Sequence, residues 1–366
     1  MRIVLDASPL TVETGGIRRY TEELATALRQ LGDDVLLLCD RPVQNASRMR
    51  DAGVSIWDSP PQGWRKRWWS LGMSSASKDW QADVIHGTDF SVPYLHRHPA
   101  VLTIHDLSPW LYPQWQSQAQ RIRRRTPWLL RLGRADMVIT VSQAVRQEII
   151  DYFRVSPEQV AVVPLAADTR FRPDEGVVPE QLRVQFSGEL SLPRFFLFAG
   201  TLEPRKNLDG LLSAWKDAQF GERTLLILAG RLREDMAPPE SQSDVLWLPE
   251  VRDEELAWLY AHALAVIYPS HYEGFGLPVL EAMQSGAPVI ISKAAALREL
   301  SAGAAIEVDG GSPASLREAL LQLGDNSELR QECRQRGLRR AQEFSWIRTA
   351  EATREIYSEA RKRFGK

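Results

Sequence analysis

The strongest constraint in this chain is a rhythm that stops once and then restarts. Short apolar runs rich in β-formers, RIVLD (2–6), DVLLLC (34–39), DVIHG (83–87), AVLTIHD (100–106), DMVITVS (136–142) and QVAVVPLA (159–166), alternate with helical periods. Such alternation predicts parallel βαβ units covered on both faces. The helix after the first run is well marked: Ile17, Tyr20, Leu24, Ala27, Leu28 and Leu31 share one face, and Gly32 ends it. Between residues 167 and 193 the rhythm is lost, and Pro173, Pro179 and polar residues suggest a linker with one short helix. A second series follows: FFLFAG (195–200), TLLILAG (224–230), DVLWLP (244–249), LAVIYPS (264–270), APVIIS (287–292) and AAIEV (304–308). At 366 residues the chain is too long for one compact core. Two sequential Rossmann-like α/β domains, 1–190 and 191–345, account for the pattern better than one large sheet. Charged amphipathic helices are expected over 313–341 and 347–363.

Composition narrows the function classes. A net charge of -2 from 45 Lys+Arg and 47 Asp+Glu argues against nucleic acid as a partner. The two cysteines, Cys39 and Cys333, lie in separate halves without a CxxC, which argues against a disulfide framework or a zinc site. The first residues read as a strand rather than a signal peptide, and no long apolar run suggests a membrane span. A cytoplasmic protein, with peripheral contact at the inner face of the membrane left open, is the expectation.

In open parallel sheets ligands bind beyond the carboxyl ends of strands. In TLEPRKNLDGLLSAW, Arg205 and Lys206 follow a strand end, and Asn207 is placed to cap the helix after it. Two cations beside a helix N-terminus suit a diphosphate. In HYEGFGLPVLEAM, Pro278 suits a first helical turn, while Gly274 and Gly276 allow close approach of backbone to ligand. If both were helical, Glu273 and Glu281 would stand ~12 Å apart, whereas glycosidase carboxyl pairs sit at roughly 5 to 9.5 Å. The two acids are therefore better suited to holding two ends of one long ligand. Gly15 and Gly16 repeat the pairing of glycine loop and helix start in the first half. His86 and His105 end strands, where a histidine is a general base, a hydrogen-bonding group or a packed core residue. Ser142, also at a strand end, lines a cleft or caps a helix. There is no GxxxxGK[ST], no GxGxxG after the first strand, no Asp-x-Asp and no GxSxG. A P-loop, a nicotinamide or flavin site, a carboxylate-held metal and a serine hydrolase are thereby disfavoured.

EGFGLPVLEAM, GTLEPRKN, the early GG and the HD after a strand together resemble glycosyltransferase family 4, retaining enzymes of the GT-B fold. The similarity runs from RIVLDASPL to FSWIRTAEATREIY. HDLSPWLYPQW and LYAHALAVIYPSHYEGFGLPVLEAM further resemble mannosyltransferases that build bacterial surface polysaccharides such as lipopolysaccharide from GDP-mannose. The resemblance implies two domains facing across a cleft, an acceptor-side domain first and a nucleotide-sugar domain second. It also implies that the helix in 346–366 crosses back to the first domain. It assigns Arg205 and Lys206 to the donor diphosphate and leaving group, Glu281 to the ribose and Glu273 to the donor sugar. Backbone N–H groups of Gly274, Phe275, Gly276 and Leu277 would hold sugar and phosphate. Gly15 and Gly16 would approach the diphosphate, His105 would contact the donor sugar, and Val251 with Arg252 would border the base. No metal cofactor is implied. Ala166, where the family often has glycine, and Arg298, where it often has proline, are departures.

The expected reaction is retaining transfer of a hexose from a nucleotide-sugar donor, GDP-mannose by resemblance, to a hydroxyl of a glycan or lipid-linked acceptor. A UDP-sugar donor, a GT-B epimerase or nucleotide-sugar hydrolase, and an inactive nucleotide-sugar-binding subunit are the alternatives. Two basic, Trp-bearing stretches, GWRKRWW (63–69) and RIRRRTPWLLRLGR (121–134), suit either an anionic membrane surface or a solvated helix face over buried tryptophans.

Overall fold

The structure is a computed structural model that describes the chain except residues 13–14, 58–61, 117–118, 174, 188–191, 221–223, 235, 237, 239–242 and 366, and the side chains of 64 and 65. It divides into two compact units, Met1–Ala166 with Ser345–Lys366, and Ala167–Phe344.

The first unit is built on seven strands: β1 (Arg2–Asp6), β2 (Asp34–Leu38), β3 (Ser55–Ile56), β4 (Val84–Gly87), β5 (Ala100–Ile104), β6 (Met137–Thr140) and β7 (Val160–Val162). They pair in parallel in the order β3-β2-β1-β4-β5-β6-β7. Their side chains are almost wholly buried, which is why they read as continuous apolar runs. The two-residue β3 is too short to leave a pattern and was not expected. The strand order reverses between β1 and β4, so the crevice of this sheet opens beyond Asp6 and Gly87.

The second unit holds β8 (Arg194–Ala199), β9 (Thr224–Ala229), β10 (Val245–Leu248), β11 (Val266–Tyr268), β12 (Val289–Ser292) and β13 (Ile306–Val308). All pairings are parallel, in the order β10-β9-β8-β11-β12-β13. Here the order reverses between β8 and β11. The core under the sheet joins Phe196, Phe198, Trp215 and Ile267 to Leu316, Leu320 and Leu323.

Two boundaries differ from the sequence-based expectation. The division falls after Ala166, not near residue 190. The stretch that lost its rhythm is held in the second unit by individual side chains. Phe171 is fully buried with its ring 5.6 Å from that of Tyr260, and Gln284 Nε2 donates to the carbonyls of Asp168 and Phe171 at 2.7 and 2.8 Å. Arg170 pairs with Asp253 at 2.8 Å. The span 313–341 is two helices, Pro313–Asp325 and Ser327–Ala341, because Asn326 breaks the first and caps the second, its Oδ1 accepting from Leu329 N at 2.9 Å.

The last helix, Trp346–Arg363, belongs to the first unit. Ser345 Oγ caps it, and Thr349 Oγ1 donates to the Pro164 carbonyl at 2.8 Å. Tyr357 is fully buried, and Arg354 reaches Asp33 at 3.0 Å.

Candidate active site

In the second unit the loops leaving β8 and β11 meet at the reversal of strand order. The loop after β8 carries a short 3-10 turn, Pro204–Lys206, and Asn207 then takes a left-handed conformation (φ 58°) to start the helix Leu208–Ala218. Asn207 does not cap that helix with its side chain, as the sequence suggests; its Nδ2 instead donates to the carbonyls of Gly310 (2.6 Å) and Pro269 (3.3 Å). The side-chain amide thereby ties the turn to the two neighbouring loops.

The turn aims both cations at one carboxylate. Arg205 Nη1 donates to Glu273 Oε2 at 3.0 Å, and Lys206 Nζ to Glu273 Oε1 at 2.5 Å. Arg205 Nη2 also reaches Glu203 Oε1 at 2.7 Å, and Lys206 Nζ donates to Tyr268 Oη, above whose ring it sits. Two cations and two carboxylates make this cluster formally neutral. Burial alone would push the Glu273 carboxyl up, but Arg205 and Lys206 overcome it and hold the group down to about 2. Burial pushes the Lys206 ammonium below its ordinary value, with Glu273 pulling it back. The cations are thus not an unscreened positive pair. They are a preset couple, charged and fixed in low dielectric, which an arriving anion would share with Glu273.

The other predicted donor residues lie close by in sequence and fold. Gly276, at φ 103°, opens the helix Leu277–Gln284, and a Cβ there would come 2.6 Å from Leu297 Cδ2. Only glycine suits that position on both counts. Pro278 fills the first turn, and Gly274 and Phe275 are buried in the preceding loop. Glu281, 3% exposed on this helix, accepts from Tyr260 Oη at 3.2 Å. Val251 and Arg252 precede the helix Asp253–His262, and Arg252 is tied through its backbone N and Nη2 to Glu255 at 3.0 and 3.1 Å. Its side chain points to the surface, 69% exposed.

In the first unit Gly15 (φ 139°) opens the helix Gly16–Gln30. His105 follows β5, its Nε2 donating to the Thr88 carbonyl at 2.8 Å and its ring 4.9 Å from that of Tyr20. Burial lowers its pKa, against the Thr88 hydrogen bond and Asp106, and so favours the neutral ring, in which Nδ1 is the acceptor. His86 is a core residue. Tyr357 Oη and Thr103 Oγ1 lie 2.7 Å from its two ring nitrogens, and burial, then the neighbouring His105, lowers its pKa to about 3. Ser142 caps the helix Gln143–Phe153, its Oγ accepting from Val145 N.

Residues 14–171 match the family model described as Glycosyltransferase Family 4, and residues 184–340 that of Glycosyl transferases group 1. The O-antigen chain mannosyltransferase B of Escherichia coli is 34% identical over 77% of this chain and 74% of its own length. This chain belongs to glycosyltransferase family 4. The O-antigen chain mannosyltransferase RfbU of Salmonella typhimurium is 25% identical over 87% of this chain and 90% of its own. Anabaena HepE, solved with UDP and glucose, superposes with a TM-score of 0.74 at 19% identity, covering 97% of this chain and 98% of HepE, and so shares the GT-B fold. The chain is accordingly a glycosyltransferase that moves a hexose.

For this family 4 enzyme, three site residues escaped the sequence reading. Glu203 sits inside the quoted TLEPRKN, Tyr268 lies in a run read only as a strand, and Tyr260 lies in the helix Asp253–His262 after Val251 and Arg252 without having been singled out. A tyrosine closing a fully buried strand beside a cationic loop is the signal that identifies Tyr268. The basic stretches also resolve. Trp68 is buried, and Trp69 and Trp80 pack on the same small core with Met73 and Ile85. Arg125 stacks on Trp69 at 4.6 Å and Arg2 on Trp80 at 4.8 Å. Of the first stretch, Trp68 and Trp69 turn to the core while Gly63, Lys66 and Arg67 are exposed; the side chains of Trp64 and Arg65 lie outside the described residues. In the helix Gln120–Arg131, Arg123 donates to the Gln116 carbonyl at 2.8 Å, while Arg121, Arg124 and Arg131 are exposed beside Trp128 and Leu132.

Proposed function

We propose that this glycosyltransferase moves a mannosyl unit from GDP-mannose to a hydroxyl of a growing glycan or lipid-linked glycan, with the anomeric configuration retained. The observation that carries the reading is the Arg205–Lys206–Glu273 cluster at the strand reversal, flanked by the starts of the helices Leu208–Ala218 and Leu277–Gln284. Lys206 and Arg205 stabilise the departing diphosphate, supplemented by helix amides and dipoles. Glu273 sets where those cations point and borders the donor sugar. Gly274, Phe275, Gly276 and Leu277 present backbone to sugar and phosphate, Glu281 takes the ribose hydroxyls, and Val251 and Arg252 border the base. No metal takes part; charge on the leaving group is met by side chains and helix ends. The names of the Escherichia coli and Salmonella relatives favour mannose and an O-antigen-like acceptor, whereas HepE was solved with UDP.

The deciding assay follows product formation from GDP-mannose, GDP-glucose, UDP-glucose and ADP-glucose with a mannose trisaccharide, with and without EDTA. GDP-mannose should be preferred at least tenfold, EDTA should not matter, and proton NMR should show an α-linked product. Preference for a UDP-sugar would sink the donor assignment, and a β-linked product the stereochemistry. Nucleotide-sugar binding without turnover would identify an inactive binding subunit instead.

No helix among the described residues is long and apolar enough to cross a membrane. The exposed face of Gln120–Arg131 is proposed as a peripheral contact, since Trp128 (48% exposed) and Leu132 (46%) stand among Arg121, Arg124 and Arg131. Cosedimentation with liposomes should require phosphatidylglycerol, weaken in salt and drop in the Arg121→Ala/Arg124→Ala/Arg131→Ala triple variant. Binding to neutral liposomes that is indifferent to salt would refute this face.

A further inference from the structure

Tyr268 closes β11 in the core of the second unit, and packing alone does not call for its hydroxyl. The residue is 1% exposed, and its ring stacks on that of Phe198 at 6.4 Å and 18°. A phenylalanine would fill the same space. A hydroxyl taken into a buried strand end costs free energy unless it is hydrogen-bonded. Its partner is the ammonium of Lys206, the cation set against the departing diphosphate in the reading above.

The turn that carries Lys206 is stitched to the chain leaving β11. The Arg205 carbonyl accepts from His271 N at 2.9 Å, and Asn207 Nδ2 donates to the Pro269 carbonyl at 3.3 Å. These contacts fix the backbone on either side of Lys206, not the end of its side chain. An ammonium is a compact charge on a flexible four-carbon stem with three rotatable donors. One stop lets it pivot, and two stops fix it. Glu273 Oε1 is the first stop, at 2.5 Å, and Tyr268 Oη is the second. The two differ in charge. Arg205, Lys206, Glu203 and Glu273 already make a neutral set, so a further carboxylate in place of Tyr268 would repel a diphosphate. The phenol fixes the ammonium without adding charge, because burial, then Glu273, holds its pKa well above the ordinary 10. Among the described residues Tyr268 and Glu273 take two of the three ammonium donors, which leaves the third for an oxygen of the departing phosphate.

We propose that Tyr268 is a positioning residue for sugar transfer, its hydroxyl holding the Lys206 ammonium where charge develops on the leaving group. This rests on the leaving-group role proposed for Lys206, and a double-mutant cycle separates the two claims. Tyr268→Phe, Lys206→Ala and the double variant are assayed with whichever of GDP-mannose, GDP-glucose, UDP-glucose and ADP-glucose the wild type turns over fastest. The mannose trisaccharide is the acceptor. Tyr268→Phe removes one oxygen and should lower kcat roughly ten- to fiftyfold, the worth of one hydrogen bond to a charged group. KM should stay within about threefold, and the melting temperature within about 4 °C. The alkaline limb of the kcat profile should move to lower pH. Burial already pushes the Lys206 ammonium below its ordinary value against the pull of Glu273, and losing an acceptor that favours the charged form pushes it further the same way. Adding Tyr268→Phe to Lys206→Ala should cost nothing more, since no ammonium is left to hold. Inorganic pyrophosphate, titrated by calorimetry, gives a readout without turnover. Tyr268→Phe should bind it more weakly than the wild type, and the gap should widen from pH 7.5 to pH 9.5. Unchanged kcat, alkaline limb and pyrophosphate affinity in Tyr268→Phe overturn the proposal, whether or not its melting temperature falls. Additive losses in the double variant overturn it too, because Tyr268 would then act on something other than Lys206. Near-normal kcat in Lys206→Ala would remove the leaving-group reading, and this proposal with it.

Discussion

Lys206→Ala should lower kcat for sugar transfer by roughly 10²- to 10³-fold, the usual cost of removing one preorganised group that stabilises charge in a transition state. The side chain is 6% exposed and makes its contacts with Glu273 and Tyr268 only a few bonds from the β8 turn, so no neighbouring lysine can replace it. The variant also leaves Glu273 buried with one cation instead of two. Breaking one arm of a buried ion pair costs about 3 to 5 kcal/mol when no other partner remains; here Arg205 remains at 3.0 Å, so the loss should be smaller. Steady-state kinetics with a melting curve of the same preparation separate the two effects. Near-normal kcat in a folded Lys206→Ala protein would remove Lys206 from the leaving-group role.

Glu273→Gln should be the more damaging change to stability. It keeps the shape of the side chain but leaves Arg205 and Lys206 facing each other with only Glu203 to offset them. A loss of about 3 to 5 kcal/mol at neutral pH is expected. The pH dependence carries a sign that can be checked. The Glu273 carboxyl titrates near 2 in the folded protein against an ordinary 4.5. The unfolded chain therefore binds its proton first on acidification. The stability contributed by this group is fully present above about pH 4.5 and falls as the pH drops towards 2, at up to about 1.4 kcal/mol per pH unit. The gap between wild type and Glu273→Gln in urea midpoint should accordingly close across that window. A gap that stays constant from pH 6 to pH 3 would mean that the glutamate is held by shape rather than charge.

The fold was legible because parallel strands buried on both faces leave unbroken apolar runs, and every expected run contains a strand. Its division was less so. Phe171, Arg170 and Gln284 commit residues 167–186 to the second unit through single contacts, and single contacts have no period to detect. The candidate site was legible where cations, glycines and acids cluster at strand ends, as in TLEPRKN and EGFGLP. Its internal pairing was not. That Glu273 pairs with Arg205 and Lys206 depends on contacts between residues 67 and 68 positions apart, which sequence spacing does not encode.

The grouping of Trp346–Arg363 with the first unit bears on how the chain is made. The second unit is contiguous, and all its strands have left the ribosome once Val308 has emerged. The first unit is not. Its strand β1 precedes the whole of the second unit in the chain, yet the Tyr357 hydroxyl that meets buried His86, and the Arg354 that meets buried Asp33, follow it. Vectorial synthesis thus favours completion of the second unit ahead of the first. Until the last helix docks, His86 is one partner short in a core that has otherwise formed.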